Sequence, residues 1–82
     1  MWSVYVLESL KDSRLYVGMS EDPSERLKSH NAGKVFSTKP YRPWIMKYAE
    51  ECTDIKHARA REKYLKSGYG KMWLKKKFQS ED

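Results

Sequence analysis

Five side chains in this sequence are of the types that move protons and hold phosphates: Tyr5, Tyr16, Arg26, His30 and Glu62. Tyr5 and Tyr16 sit in two short β-type runs, Ser3-Val4-Tyr5-Val6-Leu7 and Leu15-Tyr16-Val17-Gly18-Met19. If the runs pair as a hairpin, their alternation places both phenols on one face and Val4, Val6, Leu15 and Val17 on the other. A phenol titrates at about 10, so either tyrosine is a base only where a cation or metal favours its ionised form. Two rings packed beneath a helix as an ordinary cross-strand pair explain the same alternation.

Arg26 and His30 lie one helical turn apart, stacked on the same face of any helix that contains them. The guanidinium fork suits phosphate and the imidazole exchanges a proton near neutral pH, so the pair suits a phosphodiester held against that face. A solvated polar face is the other reading. Glu62 falls between Ala58 and Leu65 in the apolar stripe of its helix, where a hydrophobe is expected. An ionised carboxylate there needs an ion pair with a nearby Lys or Arg, or a metal. No Asp or His stands beside it to complete a cage. A metal held there is therefore one that keeps waters and borrows phosphate oxygens from a substrate, as Mg2+ does.

Local signals supply the elements that must position these residues. Residues 10–14 are turn-forming and join the two runs as an antiparallel hairpin, with Gly18 closing the second strand. Asp22 as N-cap, Pro23 at the first helical position and Glu25 reaching back start a helix that runs to His30 or Ala32, terminated by Asn31-Ala32-Gly33. Residues 34–43, basic and interrupted by prolines, read as an exposed loop before a third strand over 44–49. Thr53 or Asp54 caps a second helix with Ile55, Ala58 and Leu65 on its apolar side. Ser67-Gly68-Tyr69-Gly70 ends it, and residues 71–78 form a short basic helix with Trp73, Leu74 and Phe78 available for packing. The expected fold is a small α/β (α+β) single domain over residues 1–82, with a mainly antiparallel three-stranded sheet covered by helices in the order β-β-α-β-α-α.

The chain has 82 residues, too few for a second core, and carries 17 Lys and Arg against 11 Asp and Glu, a formal charge of +6. That balance fits a polyanionic partner, and nucleic acid is the first to consider. Lys34, Lys39, Tyr41, Arg42 and Lys71 are the candidate contacts, the cations for phosphates and Tyr41 as the ring freest to stack on a base. Trp44, Trp73 and Phe78 are expected in the core. Cys52 is the single cysteine, which excludes an internal disulfide and a multi-cysteine zinc site and fits a reducing compartment. With no signal-like or membrane-spanning run, the expectation is a soluble, cytoplasmic protein that does not engage membranes.

In this order the residues resemble the GIY-YIG nuclease family, with Ser3-Val4-Tyr5 at the first motif, Tyr16-Val17-Gly18 at the second, and Arg26, His30 and Glu62 following. The likeness covers nearly the whole chain and is closest to small stand-alone members, helped by the segment from Arg61 to Gly68. It implies phosphodiester hydrolysis in DNA rather than RNA, with repair, recombination or turnover as the setting and a protein partner as a source of specificity. One divalent ion, Mg2+ or Mn2+, would be held by Glu62, and water would attack. Tyr5 or Tyr16 would deprotonate it, Arg26 would stabilise the phosphoryl charge, and His30 would relay a proton or orient a tyrosine. Ser3 replaces the motif glycine and Val4 and Val17 replace isoleucines, changes that keep small size and strand preference. Larger members also carry a late asparagine near the site, whereas the only one here is Asn31. A nucleic-acid-binding module without turnover and, more distantly, a protein-interaction domain are the alternatives.

Overall fold

The computed structural model describes residues 1–79. Strand β1 (Trp2–Ser9) is central, flanked by β2 (Leu15–Ser20) and β3 (Trp44–Cys52) in the order β2-β1-β3, with both pairings antiparallel. Helix α1 (Pro23–Asn31) follows β2, and α2 (Ile55–Lys66) and α3 (Gly68–Gln79) follow β3. The expected order of elements and sheet type hold.

Alternation along β1 divides the interior into two clusters, one on each face of the sheet. Val4, Val6 and Val17 face α2 and α3, where Ala58, Leu65 and Leu74 complete a fully buried group. Tyr5, Leu7 and Trp44 face the other way, with Tyr16, Leu27, Tyr41 and Met46 against them. Helices thus cover both faces, which explains why β1 reads as an almost unbroken apolar run. Ile55, expected in the stripe of α2, is exposed because only Ala58 and Leu65 of that helix turn fully inward.

Helix α1 starts as its sequence dictates: the Asp22 carboxylate accepts from the Glu25 N–H at 3.2 Å, and Pro23 opens the first turn. Glu25 does not reach back. It pairs with Lys28 at 2.9 Å, while Ser20 Oγ takes the Asp22 N–H instead. Gly33, in the left-handed region at φ +79°, lets the chain turn after the helix.

Three boundaries differ from expectation. Both β2 and β3 extend further, to Ser20 and Cys52, because β1 is long enough to pair with them there. Residues 34–43 are not uniformly exposed, since they include a short 3-10 turn at Lys39–Tyr41 and the buried Thr38. The third difference is α3, which begins at Gly68, so Gly70 lies within a helix rather than in a terminator. A Cβ at Gly70 would run into the Tyr64 carbonyl and come within 2.5 Å of the Leu65 Cα. The bare glycine lets α3 cross the end of α2 at contact distance. Trp73, in turn, is at the rim rather than in the core, edge-on to Tyr48 at 5.7 Å.

Gly70→Ala is expected to lower unfolding free energy in urea by about 1–3 kcal/mol through overpacking. Gly68→Ala, where an added Cβ meets nothing within 4 Å, should stay within about 0.5 kcal/mol of the parent. Equal effects of the two would contradict this account of the α2–α3 junction.

Candidate active site

The hairpin places Tyr5 and Tyr16 on one face, with ring centroids 6.4 Å apart. Tyr5 is directly opposite Gly18, and Tyr16 opposite Leu7, so the two phenols are diagonal neighbours. Gly18 makes room for them. A Cβ there would lie 2.6 Å from the Tyr5 hydroxyl oxygen and 3.1 Å from Tyr16 Cε2. Its function is therefore to clear the space in which the Tyr5 phenol lies, not to end the strand.

His30, fully buried in the last turn of α1, meets that phenol: its Nε2 is 2.9 Å from the Tyr5 oxygen and its Nδ1 is 2.8 Å from Thr38 Oγ1. The proton directions follow from Thr38. Its hydroxyl donates to the Val35 carbonyl at 3.3 Å and so has only lone pairs to offer the imidazole. Nδ1 must then carry the ring proton, Nε2 is an acceptor, and the Tyr5 O–H donates to it. The result is a directed chain from Tyr5 through His30 and Thr38 to Val35. Among the described residues no buried side-chain polar atom lacks a partner.

Electrostatics keep both central groups neutral. Burial, and then the charge of Arg26, push His30 below its ordinary 6.5. Burial first, then Tyr16, and to a smaller extent the charge of Glu62, push Tyr5 up to about 12, against an opposing pull from the nearby Arg26. Tyr5 is thus a protonated donor at neutral pH, sealed at 1 % exposure. Tyr16 is placed differently. It is half-buried, edge-on to His30 at 5.0 Å and to Trp44 at 6.3 Å.

Arg26 is exposed on α1, with its charge felt at both Tyr5 and His30. Glu62 comes from α2, which packs on the opposite face of the sheet, and reaches Tyr5 through its charge alone. Its carboxylate has a cation, Lys66 Nζ at 3.5 Å, with the Glu62 side chain 22 % exposed. No group of three metal-ligating side chains exists among the described residues. The donor set therefore fits a single-carboxylate site completed by water and substrate oxygens, and not a preformed cage.

Two contributors have little signal in the sequence. Thr38 lies in a hydroxyl-bearing basic loop, and only tertiary packing buries it. Its carbonyl also accepts from Trp44 Nε1 at 2.9 Å, which fixes the indole beside Tyr16. Asn31 is a bracket outside the cluster. Its amide donates to the Trp44 carbonyl at 3.0 Å and accepts from the Trp44 N–H at 2.7 Å, tying the end of α1 to the start of β3.

The candidate nucleic-acid contacts separate into two surfaces. Lys34, Lys39 and Arg42 are exposed around the loop after α1, with Arg42 Nε donating to the Lys39 carbonyl at 2.9 Å. Tyr41 is not a free ring, because it is half-buried with the Arg14 guanidinium 3.5 Å above it. The exposed aromatic of this loop is Phe36, at 93 %. Lys71 lies apart from these, on α3, at a cavity on the face of the sheet to which Leu15 and Val17 turn.

The family model of the GIY-YIG catalytic domain matches residues 1–77, nearly the whole chain and every residue of this cluster. The chain belongs to the GIY-YIG family. It is also similar to two UPF0213 proteins of Pseudomonas aeruginosa, from strains UCBPP-PA14 and PAO1, each 35% identical over 69 residues. Those matches cover 80% of this chain and 64% of each relative, so the chain spans a little under two thirds of their length. No solved structure matches it significantly. GIY-YIG proteins are a nuclease family that acts on nucleic acid and generally uses a divalent metal. Among the described residues no helix is long and apolar enough to cross a membrane.

A His30 held neutral by the fold takes up a proton more readily in the unfolded chain. Its contribution to stability is full above about pH 6.5 and is lost as pH falls through its lower folded pKa. Urea midpoints should therefore drop as pH falls below about 6.5, with a shallower drop in His30→Gln. Thr38→Val, which strands the Nδ1–H, should cost about 1–3 kcal/mol at neutral pH. Identical pH slopes for the parent and His30→Gln would contradict the neutral, buried imidazole.

Proposed function

We propose that this GIY-YIG protein hydrolyses phosphodiester bonds in DNA, in preference to RNA, with Tyr16 as the group that takes the proton of the attacking water. The observation that carries the assignment is the unequal exposure of the two phenols. Tyr5 is sealed, protonated and committed to His30, whereas Tyr16 is only half-buried. A phenol accepts a proton only in its ionised form. As the water oxygen bonds to phosphorus, the bond to the leaving sugar oxygen breaks, and that oxygen takes a proton from solvent. Arg26 stabilises charge growing on the phosphoryl oxygens. His30 and Tyr5 are positioning residues that hold Tyr16 and the end of α1 in register.

Glu62 is the residue that would hold a divalent ion, Mg2+ or Mn2+, which when bound supplies Lewis-acid stabilisation of the phosphate. Lys66 must then release the carboxylate. The Glu62–Lys66 pair also favours the alternative reading, a nucleic-acid-binding module in which that ion pair is permanent.

Labelled single-stranded, duplex and branched DNA, with RNA beside them, should be cut in Mg2+ or Mn2+ and spared in chelator. Tyr16→Phe should lower the rate by about 10²–10⁴-fold with an unchanged melting temperature. Tyr5→Phe should lower the melting temperature as well, and Arg26→Ala and Glu62→Gln should abolish cutting. Full activity in Tyr16→Phe would overturn the choice of base. Salt-sensitive binding without any cutting would favour the module.

A further inference from the structure

Among the described residues the outer edge of β2 has no strand beside it, and residues of β2 and α3 line one cavity. Its volume is about 690 Å³, within the ordinary range for a small-molecule site. Leu15 and Met72 form its apolar floor over the buried Val17 and Leu74, with Met72 itself 57% exposed. The rim is basic: Arg14, Lys66, Lys71 and Lys75, with no acidic side chain in the lining.

Two of these cations are already engaged, Arg14 with Asp12 at 2.7 Å and Lys66 with Glu62 at 3.5 Å. Lys71 and Lys75 are not. They stand one helical turn apart on the same side of α3, both exposed, and neither has an acidic partner among the described residues. Adjacent like charges on a helix destabilise it slightly, and an anion bridging them would remove that repulsion.

We propose that this cavity is a subsite for one unpaired nucleotide adjoining the phosphate to be cut, with its base on the Met72 and Leu15 floor and its phosphate on Lys71 and Lys75. Its place beside the site rests on the nuclease reading. Leu15 and Val17 turn toward the cavity while Tyr16, between them in β2, turns its ring to the other face, so phenol and cavity lie on either side of the same strand, and Lys66 joins the cavity rim to Glu62. A strand leaving Tyr16 therefore passes over the edge of β2 into the cavity. The chemistry requires an apolar, flat group and an anion in one ligand, which a nucleotide supplies. A base still stacked in a duplex cannot lie on the floor, so the nucleotide in the cavity is unpaired. An acidic peptide is complementary to the rim but leaves the exposed Met72 without a matching planar group.

The test reads occupancy separately from cutting. The ¹³C-labelled Met72 methyl signal, assigned by its loss in Met72→Leu, is followed in Glu62→Gln protein with chelator while a thymidine tetranucleotide, a blunt duplex or a tetraglutamate peptide is added. The tetranucleotide should shift the methyl signal and the duplex and peptide should not. The Lys71→Ala/Lys75→Ala double variant, at exposed positions that leave folding intact, should weaken tetranucleotide binding by about tenfold and flatten its salt dependence. An unmoved methyl signal, an equal shift with duplex, or a shift with the peptide alone overturns the subsite, whatever the parent protein cuts. A shift specific to the tetranucleotide upholds the subsite even if no substrate is cleaved, in which case only the hydrolytic reading fails.

Discussion

The hydrogen-bonded chain from Tyr5 through His30 and Thr38 is the constraint around which the rest of this structure is arranged. Three polar side chains are taken almost completely out of water, and such burial is tolerated only when every donor and acceptor is met. Meeting them fixes three separate pieces of chain against one another: the central strand, the last turn of α1 and the loop that follows. Gly18 is then required beside the phenol, and the Asn31 bracket and the Trp44 indole hold the loop that carries Thr38.

The same chain divides the ionisable groups into an inner neutral set and an outer charged set. Tyr5 and His30 are both pushed toward their uncharged forms, chiefly by burial. Arg26 and Glu62 stay at the rim, on helices that cover opposite faces of the sheet. Their charges act on the phenol with opposite sign. A phosphate and a metal would therefore meet preformed charges outside a rigid, uncharged centre. That arrangement keeps the ionised groups solvated and outside the buried centre, with Glu62 held by Lys66 until that pair opens.

Much of this was legible in the sequence because it rests on local periodicity. Alternation alone put Tyr5 and Tyr16 opposite Val4, Val6 and Val17, and helical spacing alone paired Arg26 with His30. What was not legible depends on which distant segments meet. Thr38 looks like a solvent-facing hydroxyl until α1 and β3 converge on it, and Tyr41 looks free until Arg14 covers its ring. Gly18 and Gly70 read as terminators because glycine is usually placed by backbone freedom. Here both are placed by close approach of a neighbour, a phenol in one case and a helix backbone in the other. Strand order, too, left no periodic trace.

The imidazole nitrogens of His30 report on the central claim directly. In ¹⁵N-labelled protein, long-range ¹H–¹⁵N spectra recorded through a pH titration should show His30 as the neutral Nδ1–H tautomer, with Nε2 unprotonated and a titration midpoint below that of a free histidine. A proton on Nε2 at neutral pH, or a midpoint above the free value, would reverse the direction of the chain. The Tyr5–His30–Thr38 account would then be wrong.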